Sequence, residues 1–458
     1  MKRLLSIMAC CLSASAIAEK TDTTLDAYAA GYRANFTCSA VFNGGKNLSD
    51  IEEDELTGIY PLIAERIKPL TAAINHQEKW VAVDYADGTR YSVWRAKLGC
   101  VDLPIGAKRS DIERVESPFG KKHSPQKDSG QPWQQHAPIN APSGNDALDT
   151  TIQRAFSKHY GEGSRTSAIL IATPEAIISE HYPSGAGPET SQRTWSVAKS
   201  IAATVIGAAV QQGVVDIDQA TGLTSWSHPL DPRQHITLKH LLHMSSGLDS
   251  NVTGSRTDSV YMGGGLIRDT AMVSAVDVSP GKRWKYANND TLLAMRTLRE
   301  NMPSLEQYQR FVFDALLDKI GMQHTHLETD WHGDFILSSQ VWTTSRDMAR
   351  LGLLHLNNGQ WQGEQILPEN WLAFISTPGS AQPPENSPGY GAQWWLYNGR
   401  FPELPDDTIA ARGNRGQYLV IIPSEALVIV RRGYDLAGQK GFNVHDFSRD
   451  VLQALGRI

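Results

Sequence analysis

The tetrad Ser196-Val197-Ala198-Lys199 begins a segment with helical periodicity that ends at Gly213. On a helix, side chains three residues apart lie on one face, about 5–6 Å from each other. A serine hydroxyl held beside a lysine amine is a nucleophile with a proton acceptor next to it. The tetrad therefore predicts a reactive serine at the start of a helix.

Two other S-x-x-K tetrads in the chain show that the pattern alone carries little weight. They occupy residues 124–127 and 279–282, and both contain proline, which is typical of loops and turns. A serine at a helix start can also be a simple N-cap, with the lysine in solvent. The surroundings of Ser196 must distinguish these interpretations.

A second motif, Tyr286-Ala287-Asn288, follows a Pro-Gly turn signal at residues 280–281. A phenol, whose ordinary pKa is near 10, accepts a proton only when a neighbouring cation stabilises the phenolate. Lys199 is either that cation or, as a neutral amine, the base itself, and the sequence leaves both assignments open. The Asn288 amide is predicted to hold the lysine or a substrate carbonyl.

The third element is the segment Gly-Asn-Arg-Gly-Gln at residues 413–417, where a predicted terminal strand over 417–422 begins. Its glycines permit a ligand to approach the backbone closely. The N–H groups of an edge strand are free to bind a ligand. The N–H groups of Ser196 and Gln417 are predicted to form an oxyanion hole, which stabilises the charge developing on a tetrahedral intermediate.

These three motifs, in this order, resemble the penicillin-recognising serine hydrolases. The closest type is the group of class C β-lactamases, DD-peptidases and esterases, and the resemblance covers about residues 146–458. Further stretches are similar to that group or to its 6-aminohexanoate-dimer hydrolase branch, namely 241–248, 343–352, 389–395 and 416–417. The resemblance implies a β-lactamase/transpeptidase-like fold, in which helices flank an antiparallel sheet and a mostly helical subdomain is added.

The chain departs from this family at its third motif. The family usually has Lys-Thr-Gly there, and this chain has Asn414-Arg415-Gly416 in the matching place. The family's lysine helps to bind a substrate carboxylate, so its loss argues against efficient hydrolysis of β-lactams. We expect Arg415 to supply the charge instead. Together with Asn288, Asn414 and Gly416, it is predicted to bind substrate.

The order of predicted elements gives the same α+β class independently of the resemblance. Strands at both ends of the large domain, including a hairpin around Pro423-Ser424, enclose a helical middle. Residues 80–95 predict another hairpin around Asp87-Gly88 in a smaller region. The predicted organisation is a signal peptide at 1–18, a small N-terminal α/β region at 19–104, a linker at 105–145 and the hydrolase domain at 146–458.

The first residues have the features of a secretory signal: a basic start, an apolar stretch over 4–12 and the cleavage site Ala16-Ile17-Ala18. The alternative is a buried N-terminal helix. We predict a secreted or periplasmic protein, in which Cys38 and Cys100 remain after cleavage and form a disulfide. Two free buried thiols are the alternative for this pair.

Composition excludes several other classes. The formal net charge is −6 and no basic tract is present, so no nucleic-acid partner is predicted. No other apolar run approaches the 18 residues of a membrane span, so no stable insertion is expected after signal removal. The histidines at 324, 326 and 332 have irregular spacing, and no metal or other cofactor is predicted.

The sequence thus predicts an exported serine hydrolase that cleaves an amide or ester bond of a small or short peptide-like substrate through a Ser196 acyl-enzyme. The reaction would be similar to that of 6-aminohexanoate-dimer hydrolases or β-lactamases. The enzymatic alternatives are a carboxylesterase or a DD-peptidase. A catalytically inactive protein that binds peptide or peptidoglycan is the non-enzymatic alternative.

Overall fold

The computed structural model describes residues 8–120, 128–250 and 257–458, with side chains from residue 23 onward. The leader predicted at 1–18 lies partly outside these residues, and the tetrad at 124–127 lies wholly outside them. Within the described residues, no helix combines the length and the apolar character needed to cross a membrane.

The N-terminal region has its first helix packed on one antiparallel sheet, and its second and third helices pack on the first. Its helices are α1 Met8–Phe42, α2 Leu48–Asp54 and α3 Pro61–Ile67. Its strands lie in the order β1-β2-β3-β4, with bounds Ala72–Asn75, Trp80–Tyr85, Gly88–Arg95 and Gly99–Asp102. The predicted hairpin is confirmed, because β2 pairs with β3 across Asp87-Gly88.

A disulfide between Cys38 and Cys100 ties α1 to β4, as the sequence predicts. Both residues are fully buried against Val81, Val83 and Trp94, so the bond lies inside a small apolar core. Because α1 also packs on β2 and β3, the long helix and this sheet form a single layer pair.

The segment predicted as a linker lies against the rest of the chain. Trp133 is buried, and the Asp128 carboxylate pairs with Arg350 at 2.9 Å. The short strand β5, Gln135–His136, joins the edge of the main sheet in parallel with the strand at Ala176–His181. These contacts fix the path of residues 128–136 along the surface of the main sheet.

The main sheet has eight strands and is antiparallel except at β5. Its strand order is β13-β14-β15-β16-β17-β6-β7-β5, so strands from the two ends of the domain meet in the middle. The remaining bounds are β6 Thr166–Ala172, β7 Ala176–His181, β13 Gly389–Tyr390, β14 Trp395–Leu396, β15 Ile409–Gly413, β16 Gln417–Ile422 and β17 Leu427–Gly433.

Smaller pieces complete the strands. A three-stranded sheet has the order β8-β10-β9, with bounds Gln192–Arg193, Val341–Thr343 and His326–Leu327. A hairpin pairs β11 Gln360–Trp361 with β12 Glu364–Gln365. The predicted hairpin at Pro423-Ser424 is confirmed by the pairing of β16 with β17.

Helices cover both faces of the main sheet and form the middle of the domain. They are α4 Asp146–Ala155, α5 Val197–Gln211, α6 Leu238–Leu242, α7 Asp258–Tyr261, α8 Ile267–Thr270, α9 Asn288–Glu300, α10 Leu305–Val312, α11 Ser345–Leu356, α12 Trp371–Ser376 and α13 Val444–Ala454. One core lies under α5, α9 and α11, and a second lies under α4 and α13. This is the predicted α+β arrangement of an antiparallel sheet flanked by helices, with a mostly helical middle.

Candidate active site

Ser196 directly precedes α5 and follows a residue with unusual backbone geometry. Trp195 has φ +50°, a left-handed conformation that is rare for a bulky side chain. Its ring is held against Phe36 and Tyr60 of the N-terminal region. Ser196 occupies the N-cap position, yet its side chain makes no capping hydrogen bond. The Ser196 hydroxyl is therefore available for other contacts.

Lys199 lies one turn along α5 and is 1% exposed. Its Nζ is 3.2 Å from Ser196 Oγ, 2.8 Å from Asn288 Oδ1 and 2.7 Å from the Ser338 carbonyl oxygen. Burial lowers the pKa of Lys199 from its ordinary value of 10.5 to about 7, since an ammonium ion loses its hydration there. The solvated-lysine interpretation of this tetrad is wrong.

The three neighbours of Nζ match the hydrogen-bonding capacity of a neutral amine. Asn288 Oδ1 and the Ser338 carbonyl oxygen are acceptors only, so they take both N–H groups of the amine. The lone pair then points to the remaining neighbour, the hydroxyl of Ser196. The geometry accommodates the protonation state that a general base requires.

Tyr286 reaches the same hydroxyl from the turn before α9. Burial raises its pKa to about 12, although a hydrogen bond with Ser196 and the charge of Arg412 act in the opposite direction. Lys199 Nζ lies 4.9 Å from the centre of the Tyr286 ring. The phenol is therefore a proton donor at neutral pH, held beside both Ser196 and Lys199.

An aromatic cluster fixes the Tyr286 ring. Trp395 stacks on it at 5.6 Å between ring centres, and Tyr390 meets it edge-on at 6.0 Å. Trp284 closes the group, at 5.7 Å from Tyr390. Such packing leaves the phenol little freedom to rotate, which suits a group that must be oriented for proton transfer.

The turn between β15 and β16 meets the start of α5 through Gly413. A methyl group added at Gly413 would lie 2.2 Å from the Thr194 carbonyl oxygen and 3.2 Å from Ser196 N. Only a residue without a side chain permits this approach. The next residue, Asn414, is exposed and lines the cavity beside Ser196, whereas Gln417 is buried and does not line it.

The structure does not bring Arg415 or Gly416 into this cavity. Arg415 has φ +57°, and its buried guanidinium donates to the carbonyl oxygens of Asp54 at 2.6 Å and Thr57 at 2.9 Å. Gly416 does not line the cavity either. Its carbonyl oxygen accepts a hydrogen bond from Arg431. The predicted role of Arg415 in substrate binding is therefore corrected: its donors are used to hold the N-terminal region.

The family model named Beta-lactamase matches residues 153–432. The chain belongs to the beta-lactamase family. This match includes Ser196, Lys199, Tyr286 and Asn414. The N-terminal region lies outside it.

One sequence relative and two solved structures show what this chain is similar to. The 6-aminohexanoate-dimer hydrolase of Paenarthrobacter ureafaciens is 24% identical over an alignment of 306 residues, which covers 59% of this chain and 73% of that one. A family VIII carboxylesterase structure has a TM-score of 0.54 at 12% identity and covers 70% of this chain and 99% of its own. A penicillin-binding protein homologue from Caulobacter crescentus has a TM-score of 0.53 at 12% identity, with the same two coverages, 70% and 99%. The chain is thus a hydrolase of the β-lactamase fold, and the two structures support the fold alone.

In this beta-lactamase-family chain, the motifs did not identify two of the groups at the site. The Ser338 carbonyl, which binds Lys199, has no sequence signature because any residue supplies a carbonyl. Arg412 lies 5.4 Å from the Trp395 ring and has no ion pair among residues 8–120, 128–250 and 257–458. Its position directly before Gly413 on the same strand is the signal that points to it, rather than to Arg415.

The predicted absence of a metal was tested only in part. Within the part of the chain that the structure describes, no group of three His, Cys, Asp or Glu side chains is arranged to hold a metal ion. His324 and His326 are buried beside β9 and β10, and His332 lies in the following turn. His332 is exposed, and none of the three side chains lines the cavity beside Ser196.

Proposed function

We propose that this protein is an exported serine hydrolase that cleaves an amide or ester bond through an acyl-enzyme on Ser196. The observation that carries the proposal is the pair Ser196–Lys199, in which a buried amine with a pKa lowered to about 7 lies 3.2 Å from the hydroxyl. A nucleophile next to a base that is neutral at working pH is the arrangement that covalent catalysis requires.

In the acylation step, Lys199 takes the proton of Ser196 while Oγ forms a bond to the substrate carbonyl carbon. The carbonyl π electrons move to its oxygen, which becomes the oxyanion of a tetrahedral intermediate. The Ser196 N–H and the positive end of the helix dipole at the start of α5 face this charge. The lower pKa of Lys199 supports its assignment as the base rather than Tyr286.

In the proposed oxyanion hole the Ser196 N–H is one donor, as the sequence predicts. The second donor is Asn414 rather than Gln417. Asn414 lies in the turn that Gly413 brings against Ser196, and it lines the cavity. Gln417 lies within β16, paired with Gly413 across the hairpin. The N–H of Asn414 is therefore the better placed second donor, while Asn288 holds Lys199 and also lines the cavity.

Tyr286 is assigned to the leaving group. Its phenol is protonated at neutral pH, so it donates its proton to the departing nitrogen or oxygen as the tetrahedral intermediate collapses. Protonated Lys199 then returns the proton to Tyr286. Water next attacks the acyl-enzyme with its proton passing to Lys199, and Lys199 gives that proton to Ser196 Oγ as the bond to the acyl carbon breaks and the free acid leaves. No group is consumed in this cycle.

The altered third motif keeps the alternatives open. The structural neighbours include a carboxylesterase and a penicillin-binding protein homologue, and a DD-peptidase is the corresponding peptide-cleaving alternative. Esters compared with amides, and D-Ala-D-Ala peptides compared with linear aminoalkanoates, separate these activities. A catalytically inactive binding protein would bind such molecules without turnover.

The test of the proposal is the intact mass of the protein after exposure to a fluorophosphonate. We expect one adduct, absent in Ser196→Ala and retained in Ser279→Ala. Ser279 is a matched control, because it begins another S-x-x-K tetrad but lies exposed on a turn. Folded protein without any adduct would contradict the proposed hydrolase and favour the binding protein. The buried disulfide fits export, which cell fractionation and N-terminal sequencing would test.

A further inference from the structure

A cavity of about 380 Å³ lies beside Ser196, at the boundary between the N-terminal region and the hydrolase domain. One wall comes from the start of α3 in the N-terminal region, which lies outside the family match. The opposite wall comes from Trp195 and from α7 with the residue after it. The lining residues of the two walls are Tyr60, Leu62 and Ile63 on one side and Trp195, Asp258, Tyr261 and Met262 on the other.

The N-terminal wall presents apolar surface to the cavity without covering it. Leu62 is 59% exposed and Tyr60 is 45% exposed. Ile63 behind them is fully buried in a core cluster that also contains Trp195 and Met262, so the two walls meet at their base. A ligand arm that covers Leu62 and Tyr60 would gain about 0.8 kcal/mol for each buried methylene group.

The opposite wall carries one carboxylate. Asp258 lies near the phenols of Tyr28 and Tyr60 and forms no salt bridge among the described residues. Burial raises its pKa to about 6, so the group is ionised at pH 8. The Arg193 guanidinium lies 4.6 Å from the centre of the Trp195 ring but does not line the cavity, whereas Asp258 does. The carboxylate is thus the charge on the cavity lining, and it favours a cation and repels an anion.

Tyr286 does not line this cavity. The leaving group must meet Tyr286 in the proposed reaction, so the cavity is left for the acyl side of the substrate. The position of Ser196 and Asn288 on its lining brings the reacting carbonyl to its inner end. An acyl chain that fills the cavity from Ser196 then contacts the lining that includes Leu62 and Asp258.

We propose that α3 of the N-terminal region completes an acyl subsite, which selects unbranched apolar acyl chains and prefers a positively charged end to a negative one. This inference rests on the proposed function. Leu62 and Tyr60 supply the apolar contact, and Asp258 supplies the preference for charge.

The test compares kcat/KM at pH 8 for four p-nitrophenyl esters with one leaving group: acetate, hexanoate, 6-(trimethylammonio)hexanoate and the monoester of adipate. Rates with Ser196→Ala are subtracted as background. We expect hexanoate to exceed acetate by about tenfold or more, given about fourfold for each fully buried methylene group. We expect the trimethylammonio ester to exceed the adipate monoester by about tenfold, as for a partly buried charge pair.

Variants connect these preferences to the two walls. Leu62→Ser is expected to reduce the ratio of hexanoate to acetate about fivefold, and Leu62→Lys to reverse the preference between the charged esters. Asp258→Asn is expected to abolish the preference for the trimethylammonio ester. Leu48→Ser on α2 and Asp269→Asn after α7 are matched surface controls that leave all four rates unchanged.

The two possible failures are distinguishable. Turnover of acetate with no preference for chain length or charge would overturn the acyl subsite and leave the proposed hydrolase intact. Variants that fold and show the wild-type ratios would overturn it as well. Absence of turnover for every ester together with absence of a fluorophosphonate adduct would overturn both proposals.

Discussion

Lys199 and Tyr286 both contact Ser196, yet burial moves their pKa values in opposite directions. Loss of hydration disfavours whichever form is charged, so the ammonium of Lys199 becomes more acidic and the phenol of Tyr286 less acidic. Their pKa values are about 7 and about 12. Both groups are thus largely neutral at pH 8, one as a proton acceptor and the other as a proton donor.

The pH dependence of catalysis tests this assignment. With a neutral ester, kcat/KM is expected to rise with pH through an apparent pKa near 7, because Lys199 is inactive while it is protonated. Lys199→Ala is expected to lose about 10²–10⁴-fold in kcat/KM together with this rise. Tyr286→Phe is expected to keep the rise and to slow amides more than activated esters, since its task is the leaving group. A rise that is lost in Tyr286→Phe and kept in Lys199→Ala would reverse the two roles.

The residue scale also shows what sequence patterns can and cannot predict. Helical spacing is sufficient to place Lys199 beside Ser196, because that contact lies within one turn. Burial of Lys199 is not readable in the same way, since Asn288 and Ser338 come from other parts of the chain. The charge of Arg415 predicts a role in substrate binding, but its backbone is left-handed and its side chain lies against the N-terminal region.

At the scale of elements, the site depends on how closely β15 approaches the start of α5. Hairpins such as β2–β3 and β16–β17 follow from local turn signals, and the sequence predicted both. The approach of β15 to α5 is a contact between distant segments, for which the only sequence signal is a glycine. Sequence alone predicts close approach of a ligand for the whole 413–417 segment and does not distinguish Gly413 within it.

Replacement of Gly413 tests this contact. In Gly413→Ala the added methyl group would meet the Thr194 carbonyl oxygen at 2.2 Å, so β15 must move away from Ser196. We expect the free energy of unfolding to fall by about 1–3 kcal/mol, as for overpacked sites, and the fluorophosphonate reaction to slow. The measurements are urea unfolding and the rate of adduct formation. Gly187→Ala is the control, because nothing lies within 4 Å of its added methyl group; equal behaviour of the two variants would refute the close packing.

At the scale of the molecule, the N-terminal region and the hydrolase domain are joined by charged and aromatic contacts. Arg165 binds Glu53 and Asp54, Lys46 lies 4.0 Å from the Tyr434 ring centre, and Arg415 joins from the β15–β16 turn. Composition and spacing separate this region from the domain but do not show that they pack together. Its partners are distant in sequence, so no local pattern identifies them.

The disulfide provides a test at this scale. Cys38 and Cys100 are 62 residues apart, and closing such a loop is worth about 4 kcal/mol in the chain-entropy model. We expect reduction to lower the Tm and the preference for long acyl chains together, because the N-terminal wall of the cavity depends on this region. A Cys38→Ala/Cys100→Ala variant is the control and should not respond to reductant. An unchanged Tm of the fully reduced protein would show that the region holds its place without the bond.

The central position of β6 has a consequence for biosynthesis. This strand lies between β7, its neighbour in the chain, and β17, which the ribosome adds much later. Until β17 emerges, one edge of β6 has no partner, and the hairpin that carries Gly413 and Asn414 is not anchored in the sheet. Ser196 is synthesised early but acquires its surroundings late. The proposed site therefore has its full set of neighbours only after a strand from the end of the chain pairs with one that was synthesised early.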